Sequence, residues 1–524
     1  MMPRSSTQWR VVLIALMAAL FISIAPTRVP AQAFSAWAAT PTSDSGSCFT
    51  RKFCLARTDL DEPTFTIPNV GGLTGANMLY TDSLTGETGV RISDYHTLGA
   101  TPAQANYQVE PGGSAEISFM NRNDDRFYIS DSGGYLELFT FNPSSLQATR
   151  MYASSFPSSN GIRLTVGTGG EWSYTQPYTL YAGRFGSAVN NNPQIWNYDF
   201  TSTITPPSGS VLFDFSSNAA CSDEVLARKA SWMDPPTVSA DDQTFATAVA
   251  VSSQGGQGTG TNIVVWNRTK GCIYYDTATG TVGGQWGSTG TITLNGSSSI
   301  ETFKIHNVRI SLDGNWVKIS RQGCVSGQGA NGSCLYTVYL WNIGTKQVYA
   351  AKIQNSGHSA MGYTHVVNDA TTPYQQSIQT ASVASLGANT CLADCGSSPT
   401  PPVQSGWDTH PSWPNAQSSD SNPMCGSSFV TNQSTPLQAW NNEILCWDPS
   451  GSGTVYRLGW TYATMLTVDS DFSGSEAIGP VSSDGKFMAF TSDWGGQLGS
   501  TSGGESCTTS PYNCRNDVFI LQLK

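Results

Sequence analysis

The stretch His306-Asn-Val-Arg-Ile-Ser-Leu-Asp-Gly-Asn-Trp-Val-Lys-Ile-Ser320 reads as a strand, a tight Asp-Gly turn and a second strand. A related phrase, Gly479-Pro-Val-Ser-Ser-Asp-Gly-Lys-Phe-Met-Ala-Phe-Thr-Ser-Asp493, stands near the end of the chain. The chain has five histidines, and three of them, His306, His358 and His410, recur at intervals of 52 residues. A repeat of about 50 residues carrying several short strands is what propeller blades look like, because a four-stranded sheet buries both faces only when neighbours stack on it. The predicted fold is all-β: a single β-propeller, with seven four-stranded blades as the leading count and six or eight as alternatives.

Outward from that stretch, Met78-Leu-Tyr-Thr-Asp-Ser-Leu-Thr-Gly-Glu-Thr-Gly-Val-Arg-Ile92 reads as the outer half of a blade. Asn516-Asp-Val-Phe-Ile-Leu-Gln-Leu-Lys524 reads as strand material lacking an outer partner. Joining these N- and C-terminal strands in one blade closes the ring and removes a free edge. Six further blades begin near Glu116, Glu171, Asp234, His306, His358 and His410, and the closing blade enters near Glu476. The runs Glu137-Leu-Phe-Thr-Phe141, Asn262-Ile-Val-Val-Trp266, Thr337-Val-Tyr-Leu-Trp341 and Glu443-Ile-Leu-Cys-Trp447 are short, apolar and followed by turns, which makes them equivalent third strands. Residues 391–404, rich in Pro, Ser and Gly, read as a long loop or insertion.

Composition agrees. Only 12% of residues are charged, 15 Trp and 20 Tyr are present, and no long stretch shows helical periodicity. The net charge of −11 makes nucleic acid and anionic membrane surfaces poor partners. Arg4 and Arg10, an apolar run from Val11 to Ile24, and small-residue sites at Ala31-Gln-Ala33 and Ala36-Trp-Ala38 have the layout of a secretory signal. The apolar run is shorter than the roughly 20 residues that span a bilayer. The expected organisation is a signal peptide over 1–33, an irregular N-terminal segment over 34–75 and the propeller over 76–524. The expected locale is secreted, periplasmic or at the cell surface, with no membrane insertion after signal cleavage and a monomeric state. Twelve cysteines fit six disulfides in such a compartment. Nearness pairs Cys48 with Cys54, Cys324 with Cys334, Cys391 with Cys395, Cys425 with Cys446 and Cys507 with Cys514, and leaves Cys221 with Cys272 as the remaining pair.

The phrases Ser311-Leu-Asp-Gly-Asn-Trp-Val-Lys-Ile, Ser482-Ser-Asp-Gly-Lys-Phe-Met-Ala-Phe and Asp408-Thr-His-Pro-Ser-Trp413 resemble the TolB-like, or WD40-like, propeller repeat, whose blades often read HPxWSPDGxxIAF. Leu312 and Ser483 stand where that motif has Pro, and the blade after His410 lacks an Asp-Gly turn at the expected offset. The resemblance covers about four blades and implies architecture. It says almost nothing of activity, because the family includes binding scaffolds, accessory domains of peptidases and some polysaccharide lyases.

Asp234, His306, His358, His410 and Glu476 each precede or enter a first strand, so they are expected around one mouth of the channel. There they are candidate ligands for a divalent cation, Zn, Mn or Ca, although no cofactor is implied outright. The competing reading is that histidines at this blade position pack, with one ring nitrogen bonded to a neighbouring backbone. If a metal site exists, the resemblance allows a lyase of acidic polysaccharide, with His358, His365 or Tyr363 as the base and Arg309 or Lys304 holding the carboxylate. The acid pairs Asp124-Asp125, Asp241-Asp242 and Asp469-Ser-Asp471 read as solvated turns, or as Ca²⁺ sites on loops. No GxSxG elbow occurs. With no complete catalytic set in view, the leading expectation is an exported binding module with a protein or polysaccharide partner at a propeller face, and a cation at the channel mouth as an option. The alternative is the metal-dependent lyase.

Overall fold

The computed structural model describes residues 53–61, 64–97, 107–108, 116–131, 136–152, 170–184, 192–207, 209–218, 221, 232–250, 261–277, 280–286, 290–291, 293–294, 303–324, 338–350, 359–372, 375–382, 390–393, 407–418, 420, 422, 424–430, 439–447, 455–463, 477–500 and 514–524. The expected signal peptide, Cys48, His358 and Glu476 lie outside them. The described strands form seven sheets. A closing sheet joins both ends of the chain: Leu79–Thr81 pairs with Thr88–Arg91, which pairs with Asp517–Gln522, which pairs with Phe487–Ser492. The second sheet spans 107–150, the third 170–214, the fourth 232–291, the fifth 293–350, the sixth 359–393 and the seventh 407–460. The four apolar runs expected as third strands all occupy the third place from the inner edge, at Leu136–Asn142, Thr261–Asn267, Val338–Asn342 and Glu443–Trp447.

The single-propeller class holds, while two of the described sheets depart from the expected four strands. The fifth sheet has five strands, because Thr293–Leu294 adds itself parallel to Gln347–Ala350 at the outer edge. The fourth has seven: Gly290–Thr291 extends the outer edge, and two short strands, Trp232–Met233 and Thr237–Val238, share Thr244–Ala250. In that inner pair Pro235 and Pro236 interrupt the ladder, since proline donates no backbone hydrogen bond.

The core lies between sheets. Val90, Phe127 and Phe487 join the closing and second sheets, Tyr128 and Trp172 the second and third, and Tyr181 and Phe245 the third and fourth. Ala246 and Val308 join the fourth and fifth, Val367 and Trp413 the sixth and seventh, and Leu458 and Phe519 the seventh and closing sheets. Strands covered on both faces read as unbroken apolar runs; Phe487–Ser492 and Thr244–Ala250 are buried at every residue.

The Asp-Gly phrase has a clear local mechanism. Gly314 and Gly485 both sit at φ 74°, in the left-handed region that glycine enters without strain. The serine three residues earlier does the tying: Ser311 Oγ accepts from Trp316 N at 2.9 Å, and Ser482 Oγ accepts from Lys486 N at 3.0 Å. The same turn occurs with aspartate in the glycine place, at Asp124 and Asp242, both at φ 56°. These two acids are buried, which corrects the expectation of solvated turns for them, while Asp241 is exposed and Asp469 and Asp471 lie outside the described residues. Asp124 meets Lys486 at 3.4 Å, and Asp242 accepts from Tyr174 N at 3.1 Å.

The N-terminal segment runs across the closing and seventh sheets as a strap. Phe53 packs on Tyr456 and Phe65 on Trp460, with ring centroids 4.8 and 5.1 Å apart. Two buried arginines grip its carbonyls. Arg457, held by Glu443 at 2.7 Å, donates to Asp59 O and Asp61 O at 2.9 Å each. Arg91, held by Asp517, donates to Val70 O at 2.9 Å and to Gly72 O.

Candidate functional site

Charged side chains from four sheets converge on the propeller axis. Glu171 lies in the first strand of the third sheet, Asp234 between the two short inner strands of the fourth, and Arg309 in the first strand of the fifth. Lys318 is in the second strand of the fifth, and Glu116 stands in a turn ahead of the strand Arg126–Asp131 of the second sheet. Arg309 is 3.5 Å from Asp234 and 3.5 Å from Glu116, while the Lys318 ammonium contacts both Glu116 carboxylate oxygens. Lys318 also donates to Ser359 Oγ at 2.9 Å, which links the fifth sheet to the sixth.

The electrostatics follow from dry surroundings. Burial pushes the Asp234 carboxyl up to about 7, with Arg309 and the Val308 N–H at 2.7 Å pulling it back. Burial likewise takes Glu171 up to about 7 against hydrogen bonds from Tyr174 OH at 2.8 Å and Val238 N at 2.9 Å. Lys318 is brought down to about 8 by burial, with Glu116 opposing. Shifted acids and bases gathered in one place mark a candidate site on physical grounds.

The second constellation joins the sixth and seventh sheets. Asp420 Oδ2 and His365 Nδ1 are 2.8 Å apart, and the same carboxylate accepts from Thr364 N at 2.8 Å, Thr364 Oγ1 at 3.0 Å, Asn415 Nδ2 at 2.9 Å and Tyr363 N. Burial alone would raise the Asp420 carboxyl, but these hydrogen bonds outweigh it and hold it below the ordinary carboxylate value. The His365 side chain is 36% exposed. An internal counterpart clarifies its role. In the third sheet Tyr174 N, Thr175 N and Thr175 Oγ1 donate to Asp242 of the fourth, so Tyr-Thr meeting an aspartate is a recurrent staple between neighbouring sheets. Where Gln176 follows Thr175, His365 follows Thr364 and adds an imidazole donor to the staple.

Of the residues expected at one channel mouth, the described ones are placed as follows. Asp234 and Arg309 meet on the axis. His365 and Tyr363 belong to the staple, with Tyr363 packed against the apolar cluster between the third and fourth sheets. His410 is buried in the strand Trp407–Ser412. His306 lies on the strand Phe303–Ile310, with its side chain outside the described residues, as are His358 and Glu476. Among the described residues no group of three His, Cys, Asp or Glu side chains is placed to hold a metal ion. Asp234 Oδ2 accepts from Val308 N at 2.7 Å and lies 3.5 Å from Arg309 Nη1. Sequence reasoning missed Glu116, Glu171 and Lys318 as partners and Asp420 altogether. Glu116 and Glu171 had marked blade starts, and a lone charge inside an apolar strand, as at Lys318, was the available signal.

No family model and no curated protein matches the chain. Among solved structures, it is similar to an oligogalacturonate lyase in complex with manganese and to an oligogalacturonate lyase from Vibrio parahaemolyticus. Each is 11% identical, with 88% of this chain and 98% of the other covered, at a TM-score of 0.47. It is also similar to the β-propeller domain of the trilobed protease from Pyrococcus furiosus, 7% identical over 62% of this chain and 89% of that one, at a TM-score of 0.31.

Proposed function

We propose that the protein is an exported β-propeller that works as a binding module at the cell exterior or in the periplasm, engaging a polysaccharide or protein at a propeller face. The observation that carries this reading is the mutual pairing on the axis: Glu116, Asp234, Arg309 and Lys318 neutralise one another, and Glu171 is taken up by Tyr174 and Val238. Groups committed to each other in a dry interior are poorly placed to exchange protons with a substrate. The disulfides Cys221–Cys272 and Cys425–Cys446 support an oxidising compartment. Among the described residues no helix is long and apolar enough to cross a membrane. The test is affinity electrophoresis through gels carrying acidic or neutral polysaccharides. Retardation by one class, with the polymer unchanged, supports the module; free migration in every gel together with cleaved polymer overturns it.

A second reading, a metal-dependent lyase of acidic polysaccharide, is favoured by the half-exposed His365. Its Nδ1 is engaged by Asp420, which leaves Nε2 as the atom able to take a proton.

A further inference from the structure

We propose that Arg309, Lys318 and Ser359 form a carboxylate-binding cradle on the propeller axis, which Glu116 occupies as an internal ligand. The second and fifth sheets are not neighbours, since the third and fourth stand between them, yet Glu116 of the second reaches Arg309 and Lys318 of the fifth. Host and guest differ in kind. Arg309, Lys318 and Ser359 are buried and fixed in strands, whereas Glu116 belongs to a turn.

The geometry is that of carboxylate recognition. One ammonium meets both oxygens, a guanidinium stands 3.5 Å from one of them, and Ser359 Oγ at 2.9 Å aims the ammonium. Of the other acids nearby, Asp234 accepts from Val308 N and lies 3.5 Å from Arg309, Glu171 accepts from Tyr174 and Val238, and Asp242 from Ser173 and Thr175. Among the described residues none of these three acids makes an ion pair with Lys318, whose carboxylate partner is Glu116. Loss of the guest leaves a buried ammonium without its counterion, which is strongly unfavourable, so the cradle is suited to exchange one carboxylate for another. An external ligand for it carries a carboxylate and displaces Glu116. The inference concerns the same axial pairs that carry the proposed function, while the partner of that function is placed at a face.

Chemical rescue tests it. Glu116→Ala is expected to melt below the wild type. Acetate in the millimolar range should raise its Tm by about 2–4 °C over chloride at equal ionic strength. Glu116→Ala with Lys318→Met should lose that response. Equal effects of acetate and chloride on Glu116→Ala, or rescue that survives Lys318→Met, overturn the cradle. Should Glu116→Ala fail to fold, Glu116→Gln keeps the volume: acetate must stabilise it and leave the wild type unmoved, and equal responses of the two proteins overturn the proposal. Polysaccharide binding at a face is read separately and can fail without touching this result.

Discussion

Asp420 of the seventh sheet and His365 of the sixth are joined Oδ2 to Nδ1 at 2.8 Å, and the aspartate at the same time caps the backbone of Tyr363 and Thr364. One carboxylate therefore serves as a joint between sheets and as the support of a half-exposed imidazole. Asp420→Ala should cost about 1–3 kcal/mol, since buried N–H groups lose their acceptor. The folded carboxyl lies below its unfolded value, so this contribution is present above the unfolded value and is lost as pH falls through the folded one. Urea unfolding of both proteins across the acid range checks this. A difference that persists unchanged at the most acid pH would contradict it.

The axis has the opposite sign. Asp234 and Glu171 are raised by burial to about 7 each, so their contribution is full below the unfolded values and is lost as pH rises through about 7. Between about pH 4 and about pH 7 the wild type should lose stability that Asp234→Asn with Glu171→Gln does not lose. Parallel pH profiles of the two proteins would refute the assignment.

Arg457 is fully buried between Glu443 and the strap carbonyls Asp59 O and Asp61 O. Arg457→Met should cost about 3–5 kcal/mol, because Glu443 is left as an uncompensated buried charge. Limited proteolysis should then cut the strap near Asp59 before the rest of the chain. Uniform digestion would mean that the strap is held without Arg457, by Arg91 and the aromatic contacts.

Cys425 and Cys446 face each other across two adjacent strands of the seventh sheet and close a loop with a sequence separation of 21. Replacing both with serine should remove about 2–4 kcal/mol. Chemical denaturation measures it, and an unchanged midpoint would contradict the prediction.

Much of the architecture was legible because its signals are local. The Ser-x-Asp-Gly turn announces itself through one serine hydroxyl and one left-handed glycine, and the third strands through runs such as Glu443–Trp447. Nearness in sequence also paired Cys425 with Cys446 correctly, and Cys221 with Cys272 followed as the pair left over. Cys54 and Cys514 are also disulfide-bonded. The site was less legible because its contacts are not local. Glu116 and Lys318 lie 202 residues apart, and His365 and Asp420 lie 55 apart, so no spacing rule connects them. Asp242 and Asp124 misled for a related reason. Aspartate in the left-handed position of a turn looks solvated in sequence, and only the neighbouring sheet reveals that it is buried.

The central claim is that the chain binds a partner without transforming it, and the most direct measurement is ultraviolet monitoring of uronate polymers incubated with the purified protein and excess manganese. No unsaturated product should accumulate, and His365→Ala should behave as the wild type does. Metal-dependent formation of unsaturated uronate, abolished in His365→Ala while that variant stays folded, would contradict it and establish the lyase.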